Sequence, residues 1–464
     1  MYFSSCLVLL GLVSSGVTAA STLRVPLHSQ HQRSQFNKRE SIYNANGREY
    51  MIEISVGTPG QSFNLTMDTG SSELWIPSTS CPASVCPYSR FNQASSSSFK
   101  PSSIPFSIQY GQGSAMGVYG YDTVTIGQQA VNQQMIGLAN NTKDILGQVT
   151  NGEQSNGIFG LGFPGLNEVR GVKNDLPFVY NLVQQKIISE PVFSIFLNSI
   201  YANGPSGEIL FGGIDNTKFN GALQYVPVVN YKVSNMITPN LGSGSKSSSG
   251  STYLYWTVAG QAVTSSTGFN ISFPQMQPFV LDTGTTLTYM PAQIVKGLVA
   301  KLPGNITYDA FNMLYNIDCA SSNDKKTTVN FQISTSTSAT VPTPVTIAVP
   351  LSEMVMPLDS NSVSTATQCM LAIAPMMATS TSSPTWILGE STLRSIYQVY
   401  DVQNNRVGLA PASANGNGTV ASNSSSSSGA SPGQAGTQVH SGASSVNFLV
   451  NPCWLVILGL VFYL

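Results

Sequence analysis

Histidine is almost missing. The chain has three in 464 residues, His28, His31 and His440. All lie near the termini, outside the stretch that reads as folded. A Ser-His-Asp or Cys-His nucleophile system needs a histidine inside the fold, and so does a His-ligated zinc site; both are excluded. Charge is scarce as well. Only 9% of residues are charged, and the formal net charge is −1. Without a basic stripe, the electrostatic footprint of nucleic-acid binding is absent. Cysteine is limited to six residues. Cys6 falls in an apolar leader and Cys453 in an apolar tail, which leaves Cys81, Cys86, Cys319 and Cys369. Four cysteines allow three connectivities. Sequence proximity favours Cys81–Cys86, and elimination then gives Cys319–Cys369. The alternative is four free buried thiols, against which the leader argues, since it points to an oxidising compartment.

What is abundant is glycine, serine, threonine, proline and β-branched runs, a composition of short strands and tight turns. With histidine excluded, carboxylates are the groups left to transfer protons. One aspartate stands at the end of an apolar strand, in Phe63-Asn64-Leu65-Thr66-Met67-Asp68-Thr69-Gly70-Ser71-Ser72. The same device recurs as Pro278-Phe279-Val280-Leu281-Asp282-Thr283-Gly284-Thr285-Thr286. The two are 282 − 68 = 214 positions apart, a spacing of duplicated lobes and not of a solenoid. An apolar-apolar-Gly strand follows in each half, Ile158-Phe159-Gly160 and Ile387-Leu388-Gly389, with the glycines admitting close backbone approach. Asp68 and Asp282 are therefore expected to meet. Two carboxylates at close range cannot both ionise easily, so the pair holds one proton. One can activate a water while the other polarises a peptide carbonyl, with neither metal nor cofactor. Thr69 and Thr283 can brace the loops across a pseudo-twofold axis. Gly70 and Gly284 offer backbone N–H groups, and Ser71 and Thr285 can bond the outer carboxylate oxygens.

Along the chain, Phe3 to Val17 reads as a signal peptide, assigned to residues 1–19. A short basic piece follows and ends at Lys38-Arg39, which reads as a dibasic processing site after a segment with no core pattern, the alternative being a solvated charge pair; residues 20–39 are expected to be a propeptide. The β-rich remainder divides into lobes at 40–224 and 225–411. Phe106, Ile108 and Tyr110 share a strand face leading to Gly111-Gln112-Gly113, a hairpin able to cover a cleft. Helices are expected over Asp175–Gln185, with Asp175 as N-cap, and over Pro291–Leu302. Asn230–Ser251 reads as an exposed insertion. Residues 412–443 form a Ser/Gly-rich stalk, and 444–464 an apolar tail. With small residues Ser441, Gly442 and Ala443 before it, the tail resembles a glycosylphosphatidylinositol attachment signal, although the short spacer leaves a site further upstream open. A retained transmembrane helix is the alternative, and a 12-residue clean run after Asn451-Pro452 is short for one. Sequons start at Asn64, Asn140, Asn270, Asn305, Asn417 and Asn423; Asn64 shares strand parity with Asp68 and is the weakest of them.

Several motifs in order then carry a family resemblance across residues 48–411. They are Asp68-Thr69-Gly70-Ser71-Ser72-Glu73-Leu74-Trp75, Tyr110-Gly111-Gln112-Gly113-Ser114, Leu210-Phe211-Gly212-Gly213-Ile214-Asp215, Asp282-Thr283-Gly284-Thr285-Thr286 and Trp386-Ile387-Leu388-Gly389. The chain resembles the pepsin-family aspartic endopeptidases, of the fungal secreted or surface-anchored kind (yapsin- or candidapepsin-like). The resemblance implies an all-β-dominated, bilobal fold with a few short helices and a cleft between the lobes. It also implies a flap tyrosine at Tyr110 with Trp75 as its hydrogen-bonding neighbour. An acid-active, monomeric enzyme follows, acting on protein substrates at the outer face of the membrane or in the wall. The propeptide is short for that family, Thr286 stands where serine is common, and Gln112 stands where some fungal relatives carry aspartate. The rival readings are a catalytically silent pepsin-fold binding protein and a structural wall protein. The presence of both aspartates and of Tyr110 counts against the first, and the duplicated β core against the second.

Overall fold

The computed structural model describes residues 23–29, 50–111, 113–127, 129–146, 155–167, 169, 175–201, 207–229, 253–360, 363–376 and 386–413. The first half contributes strands β1 (Leu23–Ser29), β2 (Tyr50–Val56), β3 (Gln61–Asp68), β4 (Leu74–Pro77), β5 (Lys100–Gln109), β6 (Ser114–Ile126), β7 (Gln129–Lys143), β8 (Ile158–Gly160), β9 (Val192–Leu197) and β10 (Gly207–Phe211). The second half contributes β11 (Gln224–Pro227), β12 (Thr257–Ser265), β13 (Asn270–Leu281), β14 (Thr288–Pro291), β15 (Thr307–Asp309), β16 (Leu314–Ile317), β17 (Thr328–Ile333), β18 (Val345–Pro350), β19 (Val355–Pro357), β20 (Cys369–Leu371), β21 (Ile373–Met376), β22 (Trp386–Leu388), β23 (Ile396–Asp401) and β24 (Arg406–Pro411). Helices are few and short: α1 (Phe178–Gln184), α2 (Ala292–Val299) and α3 (Glu390–Leu393).

The expected β-dominated, pepsin-like architecture is the one observed. Among the described residues, a 13-stranded sheet runs β11-β24-β23-β9-β10-β1-β2-β3-β8-β4-β7-β6-β5. A 7-stranded sheet runs β18-β17-β12-β13-β22-β14-β21, and a 4-stranded sheet runs β15-β16-β20-β19. The two related halves share their base: β23, near the end of the described chain, pairs antiparallel with β9 of the first half. Strand periodicity follows burial, as in β17, where Val329, Phe331 and Ile333 are buried and the residues between them are not. One apolar cluster joins the halves, running from Ile52, Leu65 and Phe159 through Trp256 to Leu281 and Trp386. Trp256 is its hinge pin. Its ring packs at 4.3 Å from Phe163 and 4.9 Å from Tyr400, and its indole N–H donates to the Leu161 carbonyl at 2.9 Å.

Three local expectations are corrected. α1 begins at Phe178 with Pro177 as N-cap, so Asp175 lies two residues too early to cap it. α2 stops at Val299, short of Leu302. Leu23–Ser29, within the stretch read as lacking a core pattern, is strand β1, paired with β10 (Leu23↔Phe211 to Leu27↔Gly207) and with β2 (His28↔Met51, Ser29↔Tyr50), so His28 lies on a strand of the fold and not outside it. Ladder pairing uses backbone groups, so three alternating apolar residues were too brief a signal to notice.

Candidate active site

Each aspartate is delivered by the same threaded frame. β3 ends on Asp68, and β13 ends one residue before Asp282. The chain turns and returns as β4 or β14, leaving room for a strand from later in sequence to slide between. β8 lies parallel to β3 with Asp68 opposite Gly160, and β22 lies parallel to β13 with Leu281 opposite Leu388. β4 and β14 close the far sides antiparallel to β8 and β22. The glycine after each threaded apolar pair is a steric necessity. A Cβ on Gly160 would lie 2.4 Å from the Ser72 carbonyl carbon, and one on Gly389 would lie 2.2 Å from the Leu287 oxygen.

The two loops meet through a crossed brace. Thr69 Oγ1 donates to the Leu281 carbonyl at 2.8 Å and accepts the Thr283 N–H at 3.0 Å. Thr283 Oγ1 donates to the Met67 carbonyl at 2.9 Å and accepts the Thr69 N–H at 3.1 Å. Both threonines are fully buried. Each hydroxyl satisfies one donor and one acceptor of the opposite loop, groups that would be costly to bury unpaired.

The brace sets the carboxyls against one another. Asp68 Oδ1 accepts the Gly70 N–H at 2.8 Å, and Oδ2 accepts the Ser71 hydroxyl at 2.5 Å. Asp282 Oδ1 accepts the Gly284 N–H at 2.9 Å, and Oδ2 accepts the Thr285 hydroxyl at 2.6 Å. A Cβ on Gly284 would sit 2.4 Å from Asp68 Oδ1, so only glycine lets the opposite loop approach. Both aspartates are fully buried. Burial pushes the Asp68 carboxyl up to about 6, against the pull of its hydrogen bonds from Ser71, Gly70 and Asp282. Burial, followed by the neighbouring Asp68 charge, holds Asp282 well above the usual carboxylate range. The pair therefore keeps a shared proton above the ordinary carboxylate range, with the hydrogen bond between the two carboxyls favouring the singly protonated state.

The hairpin of β5 and β6 carries Tyr110 at its turn, where the Tyr110 N–H donates to the Gly113 carbonyl at 3.0 Å and Gly113 adopts φ +77°. The Trp75 indole N–H donates to the Tyr110 hydroxyl at 2.8 Å. Burial, then the charges of Asp68 and Glu73, raise the Tyr110 hydroxyl well above its ordinary value, which keeps it a neutral donor beside the pair.

A model of the family described as eukaryotic aspartyl protease matches residues 49–412. The chain belongs to that family. It is an aspartic-type endopeptidase of the pepsin group, with proteins and peptides as substrates. Among similar proteins, mucorpepsin of Rhizomucor pusillus is 30% identical over 376 residues, 80% of each chain. Gastricsin of Suncus murinus is 32% identical over 375 residues, covering 78% of this chain and 81% of its own. Pepsin II-1 of Oryctolagus cuniculus is 31% identical over 375 residues, covering 80% and 83%.

The remaining site residues fall as follows. Cys81–Cys86 and Cys319–Cys369 are both bonded, with Cα separations of 5.9 and 5.2 Å. Asn140, Asn270 and Asn305 are exposed, and Asn64 is half-buried. Gln112, Lys38, Arg39, Asn417, Asn423, Ser441, Gly442 and Ala443 lie outside the described residues, as do the leader, the insertion, the stalk and the apolar tail. Among the described residues, no helix is long and apolar enough to cross a membrane. Two groups escaped the sequence reading. Tyr400 contacts Thr69 and feels the Asp282 charge. Arg394 is buried with Glu353 and Glu390; its Nη2 donates to the Glu353 carbonyl at 3.0 Å, and its Nε lies 3.6 Å from Glu353 Oε2. Glu390 and Arg394 are four apart directly after Gly389, the one available signal.

Proposed function

We propose that Asp68 and Asp282 are the catalytic pair. The crossed threonine brace carries this reading: it holds one carboxyl from each half in hydrogen-bonding contact, where the two share a proton. Ionised Asp68 removes a proton from a water, whose oxygen attacks the peptide carbonyl carbon. Asp282 gives its proton to the carbonyl oxygen, forming a neutral tetrahedral diol. Asp68 then returns its proton to the amide nitrogen, the C–N bond breaks, and Asp282 recovers a proton from the diol. Tyr110, held by Trp75, closes over the substrate.

The proposed working range is acidic, where a carboxyl pair retains its shared proton, and linkage adds a separate effect on stability. Both carboxyls have folded pKa values above their unfolded ones, so the folded state binds more protons. Stability therefore falls as pH rises, from near the ordinary Asp value through about 6 for Asp68 and beyond for Asp282. The finer reading is a yapsin- or candidapepsin-like enzyme, monomeric, processed after Lys38-Arg39 and divided at residues 224/225. It is glycosylated at exposed sequons and anchored at the outer cell surface through a glycosylphosphatidylinositol group near Ser441–Ala443. The leader, the stalk and the apolar tail support that location.

Peptide cleavage by wild type, Asp68→Asn and Asp282→Asn across acidic to neutral pH tests the pair. Each substitution is expected to lower kcat/KM by about 10³- to 10⁴-fold. Wild-type rates in either variant would sink the assignment.

A further inference from the structure

The first described strand is a seam between two blocks of sheet. β1 (Leu23–Ser29) pairs antiparallel with β10 over five positions, Leu23↔Phe211 to Leu27↔Gly207. It then pairs with β2 through His28↔Met51 and Ser29↔Tyr50. Among the described residues, no other strand pairs with both β10 and β2. On one side of β1 lies the shared base, β11-β24-β23-β9-β10. On the other lies β2, followed by β3, which ends on Asp68. Without β1, the facing edges of β10 and β2 would present rows of unpaired backbone N–H and C=O groups in the middle of a sheet.

This seam belongs to the segment assigned to the propeptide, and the expected cut after Lys38-Arg39 falls between β1 and β2 in the chain. Cleavage there breaks a connection and touches no ladder pair. Release is a separate step, which gives up every β1 backbone bond and uncovers both edges. The residues left at the new N-terminus are a poor replacement. Glu40 to Glu49 holds Ile42 and Tyr43, then Asn44-Ala45-Asn46-Gly47, in which asparagine and glycine are types depleted from strands. The tightest hairpin onto β2 turns at Asn46-Gly47. That register would set Ile42 opposite Met51, where His28 now stands. Only Ser41 and Glu40 would then remain to cover the five β10 positions that β1 pairs. A longer turn would leave fewer still.

We propose that β1 is a permanent strand of the working enzyme, so that cleavage after Lys38-Arg39 yields a two-chain protein. The slot between β10 and β2 then holds the enzyme's own N-terminal peptide. The proposal rests on the processing reading and is independent of the assignment of the catalytic pair. The mode of binding is strand addition, in which main-chain hydrogen bonds supply the affinity. The peptide also has a place in the architecture of the site. β2 pairs with β3 from Met51↔Thr66 to Val56↔Gln61, and β9 of the base pairs with β23. The peptide thus ties the strands that deliver Asp68 to the base shared by both halves. Its loss is expected to lower stability as well as activity, as for any partner that binds only the folded state.

The test weighs the full chain, cleaved after Arg39, by mass spectrometry under native conditions and again in denaturant. The main chain beginning at Glu40 is expected to carry one peptide containing Leu23–Ser29 natively and to lose it in denaturant. A main chain that is active without the peptide overturns the proposal and gives the slot to the residues after Arg39. An active product with Lys38-Arg39 uncut overturns the processing reading, and the two-chain form with it, while the protease reading stands. The masses are read without substrate, so failure of the protease reading cannot be mistaken for failure of this one. A second measurement follows a labelled synthetic peptide of residues 20–39 as it exchanges into the cleaved enzyme in mild urea. The same peptide N-methylated at Arg24 and Val25 should bind about tenfold less tightly or worse. Successive N–H groups point to opposite sides of a strand, so one of those two faces β10. Equal binding of the two peptides would show that the ladder does not hold the strand, and overturns the proposal.

Discussion

The Asp68 and Asp282 loops are built on one frame but furnished differently. Seven residues past Asp68 stands Trp75; seven past Asp282 stands Tyr289. Each pairs with the isoleucine of its threaded strand, Trp75 with Ile158 and Tyr289 with Ile387. Glu73 in the first loop corresponds to Leu287 in the second. Trp75 reaches out to the hairpin tyrosine, whereas Tyr289 lies buried in an apolar cluster. After Pro77 the first half continues to a disulfide loop; after Pro291 the second continues into α2. Duplication thus fixes what must be symmetric, the two carboxyls and their brace. Divergence supplies what is one-sided: a tryptophan tied to the β5–β6 hairpin in the first half and a buried tyrosine in the second.

The symmetric part can be broken most severely at the brace. Thr69→Val and Thr283→Val keep shape but each orphans a buried N–H and a buried carbonyl. At about 1–3 kcal/mol per unsatisfied group, a loss of about 2–5 kcal/mol in urea unfolding is expected for either. Thr69→Val should be the larger, because Tyr400 also contacts that hydroxyl. A negligible loss in either variant would show that the crossed bonds do not hold the loops.

The asymmetric part is tested by a matched pair of smaller changes. Trp75→Phe removes the indole donor from a fully buried Tyr110 hydroxyl, and kcat/KM is expected to fall about tenfold, one lost hydrogen bond's worth. Tyr289→Phe removes a hydroxyl whose raised pKa has burial as its only cause, and activity should change less than about twofold. Equal effects at both positions would erase the distinction between the loops.

Much of this was legible in the sequence, for reasons that differ by residue. Asp68, Thr69, Gly70 and Ser71 are contiguous, and their partners repeat them, so a local pattern encodes a long-range contact. Gly160 and Gly389 were readable because backbone crowding leaves no other residue. The Tyr110 hairpin was readable from its strand face and glycines, but its link to Trp75 came only through family resemblance, since no spacing rule joins residues 35 apart on separate elements. Arg394 was missed because its partner Glu353 is 41 positions away, and a buried ion pair leaves no periodic trace. β1 was missed because backbone pairing asks little of side chains.

The subtlest difference between the loops is the hydroxyl beside each carboxyl, and it sets the two edges of the pH profile. In the proposed mechanism, activity needs the pair singly protonated, with Asp68 as the ionised member. It rises with pH as Asp68 loses its proton and falls again as Asp282 does. A hydrogen bond donated to a carboxylate favours the charged form, so its loss raises that group's pKa. Ser71→Ala removes a 2.5 Å bond to Asp68 and should carry the rising limb to higher pH while leaving the falling limb in place. Thr285→Val removes a 2.6 Å bond to Asp282 and should carry the falling limb upward instead. Because the pair is coupled, each limb belongs to the dyad, and the experiment reads which edge moves. If both substitutions shifted the same edge, the proton would not sit preferentially on Asp282, and the two halves would be interchangeable in chemistry as well as in frame.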